Sequence, residues 1–309
     1  MTNAIIIFAI SIFLVIKGAT LSTKYAGHLA ESYRLSKYTV GFIIVAVISI
    51  LPETFIAVTS ALEGIPSFGL GMLFGSNVAD MTLVFAIIVL LAGREIKIES
   101  KVLKDNRVYP FLLLLPLVLG MDGSFSRIEG AALVAAGVAF YYIAFRGDMR
   151  DATVPNGEKH RVKNLLMLIA SMAALLLGAH YTVDSAVTLA GALDVSPVLI
   201  GMLIVGLGTT MPELFFSLRS VRRHNDALAV GDILGTVLAD ATVVVGIMAL
   251  INPFSFAPKT IYVTGAFMLV ASIILLRFMN SGRKLSRVEA ILLFMFWLLF
   301  VVVEYLIQR

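Results

Sequence analysis

Four carboxylates carry the chemistry that this sequence offers. Glu53, Asp80, Glu213 and Asp240 each lie within an apolar stretch long enough to cross a membrane. A charge at that depth is costly, so an ionisable residue there indicates a functional site. No Lys or Arg lies at comparable depth beside these acids. The simplest counter-charge is therefore a bound cation.

A hydroxyl side chain accompanies each carboxylate at helical spacing. Residues four apart lie on one face of a helix. Hydroxyl, carboxylate and carbonyl oxygens suit hard cations such as Ca²⁺ and Na⁺ better than soft metals. The pairs are Ser49 with Glu53, Ser76 with Asp80, Thr209 with Glu213 and Thr236 with Asp240, and Thr210 lies three residues before Glu213.

A proline directly precedes two of the acids. Pro52 and Pro212 have no N–H, and their rings clash with the preceding helical turn. The carbonyls of Ile48 and Gly208 therefore lose their usual donor. In lipid, freed carbonyls survive only where they face protein or an ion. We therefore expect broken helices that offer backbone oxygens to a cation.

The composition predicts an all-α membrane protein. Of the 309 residues, 59% are hydrophobic and only 14% are charged, against about 25% charged in soluble domains. Apolar runs of membrane-crossing length recur along the chain. We expect ten transmembrane helices at residues 3–23, 38–62, 69–92, 108–121, 128–146, 164–188, 195–219, 228–251, 259–277 and 286–306.

The basic residues predict an orientation. Placing the N-terminus outside puts 20 of the 24 Lys and Arg residues on the cytoplasmic side, as the positive-inside rule favours. Both termini are then expected outside a plasma membrane, with the central linker in the cytoplasm. The pI of about 9.3 is explained by these basic loops, so nucleic acid is not expected as a partner.

The two halves of the chain repeat one another. Sliding the sequence by 160 residues aligns Leu51-Pro52-Glu53 with Met211-Pro212-Glu213, and Asp80 with Asp240. Because each half holds five spans, the second must enter the membrane from the opposite side. Inverted repeats of this kind are typical of secondary transporters. We expect repeats at residues 1–146 (core motif 41–84) and 164–309 (core motif 201–244), joined by a linker at residues 147–163.

Several other classes of protein are disfavoured. The chain has no cysteine, and its four histidines are scattered, so no transition-metal site is expected. No nucleophile or metal triad lies at matched depth, which argues against an enzyme. We expect no cofactor beyond the transported ions, and no obligate protein partner besides the lipid bilayer.

At these residues the chain resembles the cation/calcium antiporter superfamily, and most closely its prokaryotic sodium/calcium exchangers. The matching segments are GFIIVAVISILPETFIAVTS with GMLFGSNVAD, and GMLIVGLGTTMPELFFSLRS with GDILGTVLAD. The paired LPE/MPE and GSxxxD/GTxxxD motifs are specific, and the ten-span layout extends the resemblance over essentially the whole chain.

The resemblance implies a set of ion ligands. Glu53 and Glu213 would bind Ca²⁺ centrally, and Asp80 and Asp240 would complete that site. Family members work by alternating access, with the first and sixth helices sliding across the core. Backbone carbonyls of Ser49 and Thr209 would assist, and flanking Na⁺ sites would use Ser49, Ser76, Thr209, Thr210 and Thr236.

Two departures from the family pattern bear on the coupling ion. Ile50 stands where the family usually has a hydroxyl, and Asp80 stands where it often has Asn. Four close carboxylates cannot all stay ionised in an empty site, so one should hold a proton. Calcium efflux driven by sodium entry is the main hypothesis. A proton/divalent-cation antiporter is the alternative, and a cation channel is a weaker one.

Overall fold

The structure, a computed structural model, describes residues 2–32, 50–98, 108–145, 161–224 and 226–308. Helices dominate it, as the long apolar runs predict. The elements of the first half are α1 (Thr2–Ser32), α2 (Leu51–Leu62), α3 (Pro66–Ala79), π1 (Asp80–Val84), α4 (Phe85–Ala92), β1 (Ile96–Lys97), α5 (Val108–Leu119), a 3₁₀ turn (Gly120–Asp122), β2 (Ser124–Phe125) and α6 (Arg127–Phe145).

The second half follows the same order. Its elements are α7 (Arg161–Leu193), α8 (Pro197–Ile200), π2 (Gly201–Val205), α9 (Gly206–Thr209), α10 (Met211–Arg222), α11 (Asp226–Ala239), π3 (Asp240–Val244), α12 (Val245–Ile251), β3 (Phe254–Ser255), π4 (Thr260–Gly265), α13 (Ala266–Asn280), β4 (Lys284–Leu285) and α14 (Arg287–Gln308).

Seven helical stretches in the described part of the chain are long and apolar enough to cross a membrane. They correspond to seven of the ten expected spans. The second and fourth spans correspond to shorter apolar helices, and residues 38–49 lie outside the described part. The fifth is the 19-residue helix α6. The chain is thus a helical membrane protein, and the count of ten spans stays a prediction.

Equivalent elements of the two halves have matching bounds. Helices α2 and α10 are both 12 residues long and begin 160 residues apart. Helices α3 and α11, each of 14 residues, keep the same offset. Each of the latter pair runs directly into a five-residue π segment, π1 or π3. The repeat seen in the sequence is therefore also a repeat of local structure.

Helices α1 and α7, which are equivalent in the two halves, pack against each other. The Ser22 hydroxyl donates to Ser171 at 3.0 Å, and the Thr182 hydroxyl donates to Ser11 at 3.0 Å. Moving towards the C-terminus of α1 therefore moves towards the N-terminus of α7. The two helices run antiparallel.

Two glycines allow this close approach. A Cβ on Gly18 would lie 2.9 Å from the Leu175 nitrogen, and a Cβ on Gly178 would lie 2.9 Å from the Val15 nitrogen. Each contact is the 160-residue counterpart of the other. Small residues let backbones approach where lipid supplies no hydrophobic drive for association.

Two short antiparallel sheets join the halves. Strand β1 pairs with β4, and β2 pairs with β3, so each sheet takes one strand from each half. Helix α13 lies between β3 and β4 in the chain and separates the two sheets along its length. The sheets therefore cap the bundle at opposite ends.

The most buried helices lie at the centre of the bundle. Most residues of α3 and α11 are inaccessible to solvent, whereas α1 and α7 are mostly exposed. Helix α6 packs on α12, and α14 packs on α4. The central helices α3 and α11 lead directly into π1 and π3, which begin with Asp80 and Asp240.

Candidate functional site

The LPE and MPE motifs both begin a helix. Helix α10 starts at Met211 after α9 ends at Thr209, with a turn between them. Helix α2 starts at Leu51 after a turn at Ile50. The helix break expected from the proline is confirmed in the second half. In the first half the residues before Ile50, including Ile48 and Ser49, lie outside the described part of the chain.

These helix starts place two acids at helix N-termini. Glu53 and Glu213 lie in the first turns of α2 and α10, and each side chain is only 1% exposed. The free N–H groups and the dipole at a helix N-terminus stabilise negative charge. The local fold therefore supports two carboxylates that would otherwise be costly at this depth.

The other two acids begin the π segments. Asp80 and Asp240 are the first residues of π1 and π3, and both are buried. The Thr82 hydroxyl donates to the Val78 carbonyl at 2.5 Å. In π3 the Thr242 hydroxyl makes the same bond to Leu238 at 2.6 Å. Single-turn π segments inside α-helices frequently mark functional sites.

Elements from both halves bring the four acids together. Helix α2 contacts π3, and α11 contacts π1, so each acid-bearing element meets a partner from the other half. The charge of Glu53 acts on Asp80, Glu213 and Asp240, and that of Asp80 acts on Glu213 and Asp240. Sequence-distant acids therefore share one electrostatic environment.

Most of the carboxylate oxygens lack a hydrogen-bond partner. In the described part of the chain this holds for one oxygen of Glu53 and of Asp80, and for both oxygens of Glu213 and Asp240. No Lys, Arg or His there forms an ion pair with any of the four. Buried anions without partners are costly, and a cation bound between these carboxylates would offset that cost.

The acids do not form a closed cage. Among the described residues, no three Asp, Glu or His side chains gather closely enough to ligate one metal ion. A cation between them would therefore also need hydroxyl, carbonyl or water oxygens, which is the usual mixture for Ca²⁺ and Na⁺.

The four predicted hydroxyl ligands that lie in the described part of the chain, Ser76, Thr209, Thr210 and Thr236, are all buried. Ser76 donates to the Leu73 carbonyl at 2.9 Å, Thr209 to Gly206 at 3.0 Å and Thr210 to Leu207 at 3.0 Å. A hydroxyl that donates its proton to the backbone still has two lone pairs for a cation. The ligand role of all these residues, and of Ser49, stays a prediction.

One contact links the halves inside the site. The Glu53 carboxyl group lies within hydrogen-bonding reach of the Thr209 side chain. Glu53 belongs to the first motif and Thr209 to the break before the second. The two motifs therefore form one site rather than two separate ones.

Three buried polar residues were not predicted as part of the site. Asn77 is fully buried, its amide donates to the Met268 sulfur at 3.6 Å, and its oxygen has no partner in the described part of the chain. Glu304 is fully buried and accepts from Thr264 at 2.6 Å. Repeat symmetry does not predict Asp232, because Met72 is its equivalent in the first half. A polar residue inside an apolar run is the signal for each of them.

Two other acids have structural roles at helix starts. Ser126 and Glu129 form a capping box at the start of α6, with a backbone bond of 2.7 Å to the Glu129 carboxylate. Ser286 and Glu289 repeat it at the start of α14, at 2.8 Å. Reciprocal bonds of this kind satisfy free N–H groups at a helix start.

An ion pair fixes the start of α11. The Arg94 guanidinium donates to both oxygens of Asp226, at 2.5 and 2.7 Å, and the Lys97 backbone N–H donates to the same carboxylate at 2.8 Å. Burial alone raises the pKa of Asp226. The hydrogen bonds from Arg94 and Lys97 outweigh it, so that the pKa lies below its usual value.

Two named relatives align with nearly the whole chain. Sodium/calcium exchanger MaX1 of Methanosarcina acetivorans is 23% identical over 349 residues, covering 98% of each chain. The putative antiporter CaxA of Alkalimonas amylolytica is 28% identical over 312 residues, covering 96% of each. The chain therefore aligns with these relatives over nearly their whole length.

Solved structures share the fold. The sodium-calcium exchanger NCX_Mj superimposes with a TM-score of 0.67 at 22% identity, covering 97% of each chain. The H⁺/Ca²⁺ exchanger CAX superimposes with a TM-score of 0.78 at 16% identity, covering 98% of this chain and 82% of the other. At these identities the likeness establishes the fold alone.

The family assignment rests on most of the chain. The family described as "Sodium/calcium exchanger protein" matches residues 3–146 and 163–306. These two segments are offset by the same 160 residues as the acidic motifs, and together they contain all four buried carboxylates. The chain therefore belongs to the sodium/calcium exchanger protein family of membrane transporters.

Proposed function

We propose that this protein is a secondary antiporter that exports Ca²⁺ in exchange for Na⁺ by alternating access. The observation that carries the proposal is the set of four buried carboxylates, paired across the two halves and without a basic partner in the described part of the chain. A membrane transporter with such a site binds a cation as its substrate. MaX1, a relative over its full length, is named as a sodium/calcium exchanger.

In this proposal Glu53 and Glu213 are the central Ca²⁺ ligands, and Asp80 and Asp240 complete the site by adding negative charge around it, while hydroxyl, carbonyl or water oxygens fill the remaining ligand positions. Carboxylates at two helix N-termini and at two π segments approach from four elements. Hydroxyl groups of Ser49, Ser76, Thr209, Thr210 and Thr236 hold Na⁺ in flanking positions. Hard oxygen ligands of mixed type suit both ions.

The fold we propose is ten transmembrane helices in two inverted five-helix repeats, with the boundaries given above. The antiparallel packing of the equivalent helices α1 and α7 supports inversion. Their exposure and their close contact with each other at small residues fit a pair that slides together across a fixed core. Such movement would open the site to each side in turn.

We also propose that both termini lie outside the plasma membrane and the linker inside. Lys97 and Lys284 pair in the β1–β4 sheet, and Arg94 and Arg287 lie beside it. The β2–β3 sheet at the other end pairs Ser124 with Ser255. The basic end is the one expected to face the cytoplasm.

Proton coupling is the second candidate. Asp80 gives the site a fourth carboxylate, and four neighbouring acids favour a proton on one of them whenever no cation is bound. The fold is also shared with the H⁺/Ca²⁺ exchanger CAX. In this version Ca²⁺ binding displaces the proton.

Uptake of ⁴⁵Ca²⁺ into proteoliposomes separates these candidates. Vesicles are loaded with Na⁺, or are given a proton gradient without Na⁺, and Glu213→Gln serves as the inactive control. Sodium-dependent uptake supports sodium/calcium exchange. Uptake with protons alone supports the second candidate. Calcium flux that needs neither ion on the opposite side would instead indicate a channel and end the antiport proposal.

A further inference from the structure

Asp232 is a fifth buried carboxylate near the site. It lies on α11 and is 8% exposed, and neither of its oxygens has a hydrogen-bond partner among the described residues. No Lys, Arg or His in the same part of the chain forms an ion pair with it. The charge of Asp232 acts on Asp80 and Glu213. It is therefore joined electrostatically to the central acids.

A hydroxyl faces this carboxylate from the neighbouring helix. Ser217 of α10 is fully buried beside Asp232, and its hydroxyl makes only a long contact of 3.5 Å to the Ala229 carbonyl. Its lone pairs remain available. A carboxylate and a hydroxyl thus face one another across the α10–α11 hairpin.

Helical spacing connects this pair with the central site. Asp232 and Thr236 of α11 and Asp240 at the start of π3 follow one another at intervals of four. Glu213 and Ser217 have the same spacing on α10. The polar face therefore continues from the central acids towards the α10–α11 turn.

The first repeat lacks this extension. The equivalents of Asp232 and Ser217 are Met72 and Ala57, both fully buried and apolar. A polar pair in one repeat and an apolar pair in the other makes the two approaches to the site unequal. Symmetry of fold does not explain Asp232.

The charge of the pair decides which ligand fits. One carboxylate carries a single negative charge, which one monovalent cation neutralises, whereas Ca²⁺ usually takes more acidic ligands. A proton would also neutralise it, with the resulting O–H donating to Ser217, but the other carboxylate oxygen would still lack a partner among the described groups. Na⁺ satisfies both the charge and the oxygen lone pairs.

We propose that Asp232 and Ser217 form an auxiliary Na⁺ site between the central carboxylates and the α10–α11 turn. The site lies on one side of the membrane only, and on that side it is the Na⁺ position farthest from the central carboxylates. It rests on the proposed cation antiport, and it adds a ligand pair that neither the acidic motifs nor the repeat symmetry contains.

Equilibrium binding of ²²Na⁺ to the purified full-length protein tests the site. Asp232→Asn keeps the size of the side chain and removes its charge, so the number of Na⁺ bound per chain should fall by one. Ser217→Ala should keep that number and weaken this site by about tenfold, as expected for losing one polar ligand. Met72→Leu, at the equivalent position of the first repeat, should change neither value.

Thermal unfolding confirms that each variant is folded, and ⁴⁵Ca²⁺ exchange by the wild-type protein is measured in the same preparation. An unchanged Na⁺ number in folded Asp232→Asn, with normal wild-type exchange, overturns the auxiliary site and leaves the antiport proposal standing. If Asp232→Asn changes the pH dependence of Ca²⁺ exchange but not the number of Na⁺ bound per chain, the auxiliary site is overturned too. Failure of the wild type to exchange Ca²⁺ is a separate result that rejects the antiport proposal.

Discussion

At the scale of single residues, position in a helix decides what each acid does. Glu129 and Glu289 complete capping boxes at helix starts, where their oxygens accept backbone N–H bonds. Glu53 and Glu213 also lie in first helical turns, but they are buried and keep oxygens without partners in the described part of the chain. The same residue type is thus structural in one setting and available to a cation in the other.

This contrast gives a matched pair of variants. Glu213→Gln removes one charge from the central site and should reduce calcium exchange at least about a hundredfold, since a buried charged ligand contributes ~3 kcal/mol or more. Glu289→Gln should leave exchange near the wild-type rate, because Gln also completes a capping box. Initial rates of ⁴⁵Ca²⁺ uptake provide the measurement. Equal rates in the two variants would contradict the assignment.

Replacing Asp80 should affect proton-driven and sodium-driven Ca²⁺ uptake differently. Asp80→Asn leaves three carboxylates and keeps the side-chain size, so a proton should no longer be needed in the empty site. Any proton-driven uptake should fall, and sodium-driven uptake should persist. Both are measured in the same vesicles under opposite ion gradients. Equal loss of the two activities would indicate instead that Asp80 is required for binding Ca²⁺ itself.

The sequence predicts the four acids and their hydroxyl neighbours because each carboxylate lies in an apolar run and recurs at the 160-residue offset. Repeat symmetry does not predict Asp232, since Met72 stands at the equivalent position. The structure shows instead that its carboxylate is buried beside Ser217. Burial and contact depend on which helices pack together, and that packing cannot be read from a single sequence.

At the scale of secondary structure, the sequence predicts the helix break at a proline but not the π segments. Pro212 predicts the interruption before α10, which is seen between Thr209 and Met211. The π segments that begin at Asp80 and Asp240 were not predicted. A π segment needs only a small shift in backbone hydrogen bonding, and the side chains around it keep an ordinary helical pattern.

The Arg94–Asp226 pair should stabilise the start of α11. Asp226→Asn removes the charge that holds both guanidinium donors, with a loss on the order of 2 kcal/mol, the range of charge-assisted hydrogen bonds. Thermal unfolding in detergent, compared between wild type and variant, measures it. An unchanged melting temperature would contradict the role.

The same pair predicts a pH dependence. The pKa of Asp226 is lower in the folded protein than its usual value of about 3.9. Its stabilising contribution is therefore complete above that usual value, and it is lost as the pH falls through the lower folded pKa. The difference in stability between wild type and Asp226→Asn should be constant from about pH 8 to 5 and should shrink only in stronger acid.

The α1–α7 contact gives a prediction about close packing. Gly178→Ala would place a methyl group 2.9 Å from the Val15 nitrogen and 3.0 Å from the Ser11 carbonyl oxygen. Backbone atoms cannot rotate away, so the helices must separate, at a cost of about 1–3 kcal/mol. Gly191→Ala on the same helix meets no described atom within 4 Å and serves as the control. Thermal unfolding and transport rate should change in the first variant only.

At the scale of the whole molecule, the 160-residue offset organises sequence and structure alike. Cross-half sheets, the antiparallel α1–α7 pair and the two π segments that begin with acids all follow from one repeated unit. The fold class and the repeat could be predicted from hydrophobic runs and motif spacing. The short strands could not, because two-residue pairings between distant turns leave no periodic signal.

The proposed membrane orientation can be tested because the chain has no native cysteine. A membrane-impermeant maleimide added to intact cells should label Asp194→Cys, in the turn after α7, from outside. It should label Arg283→Cys, in the turn before β4, only after the membrane is opened. The reverse pattern would show that the positive-inside reading of this chain is wrong.

The central claim is that the carboxylates of both halves hold one transported divalent cation. Crystals of transport-competent protein soaked in Ba²⁺, a strong anomalous scatterer that resembles Ca²⁺, test it most directly. We expect an anomalous peak between Glu53 and Glu213 that disappears in Glu213→Gln. A peak elsewhere in the bundle, with none between these two carboxylates, would contradict the account.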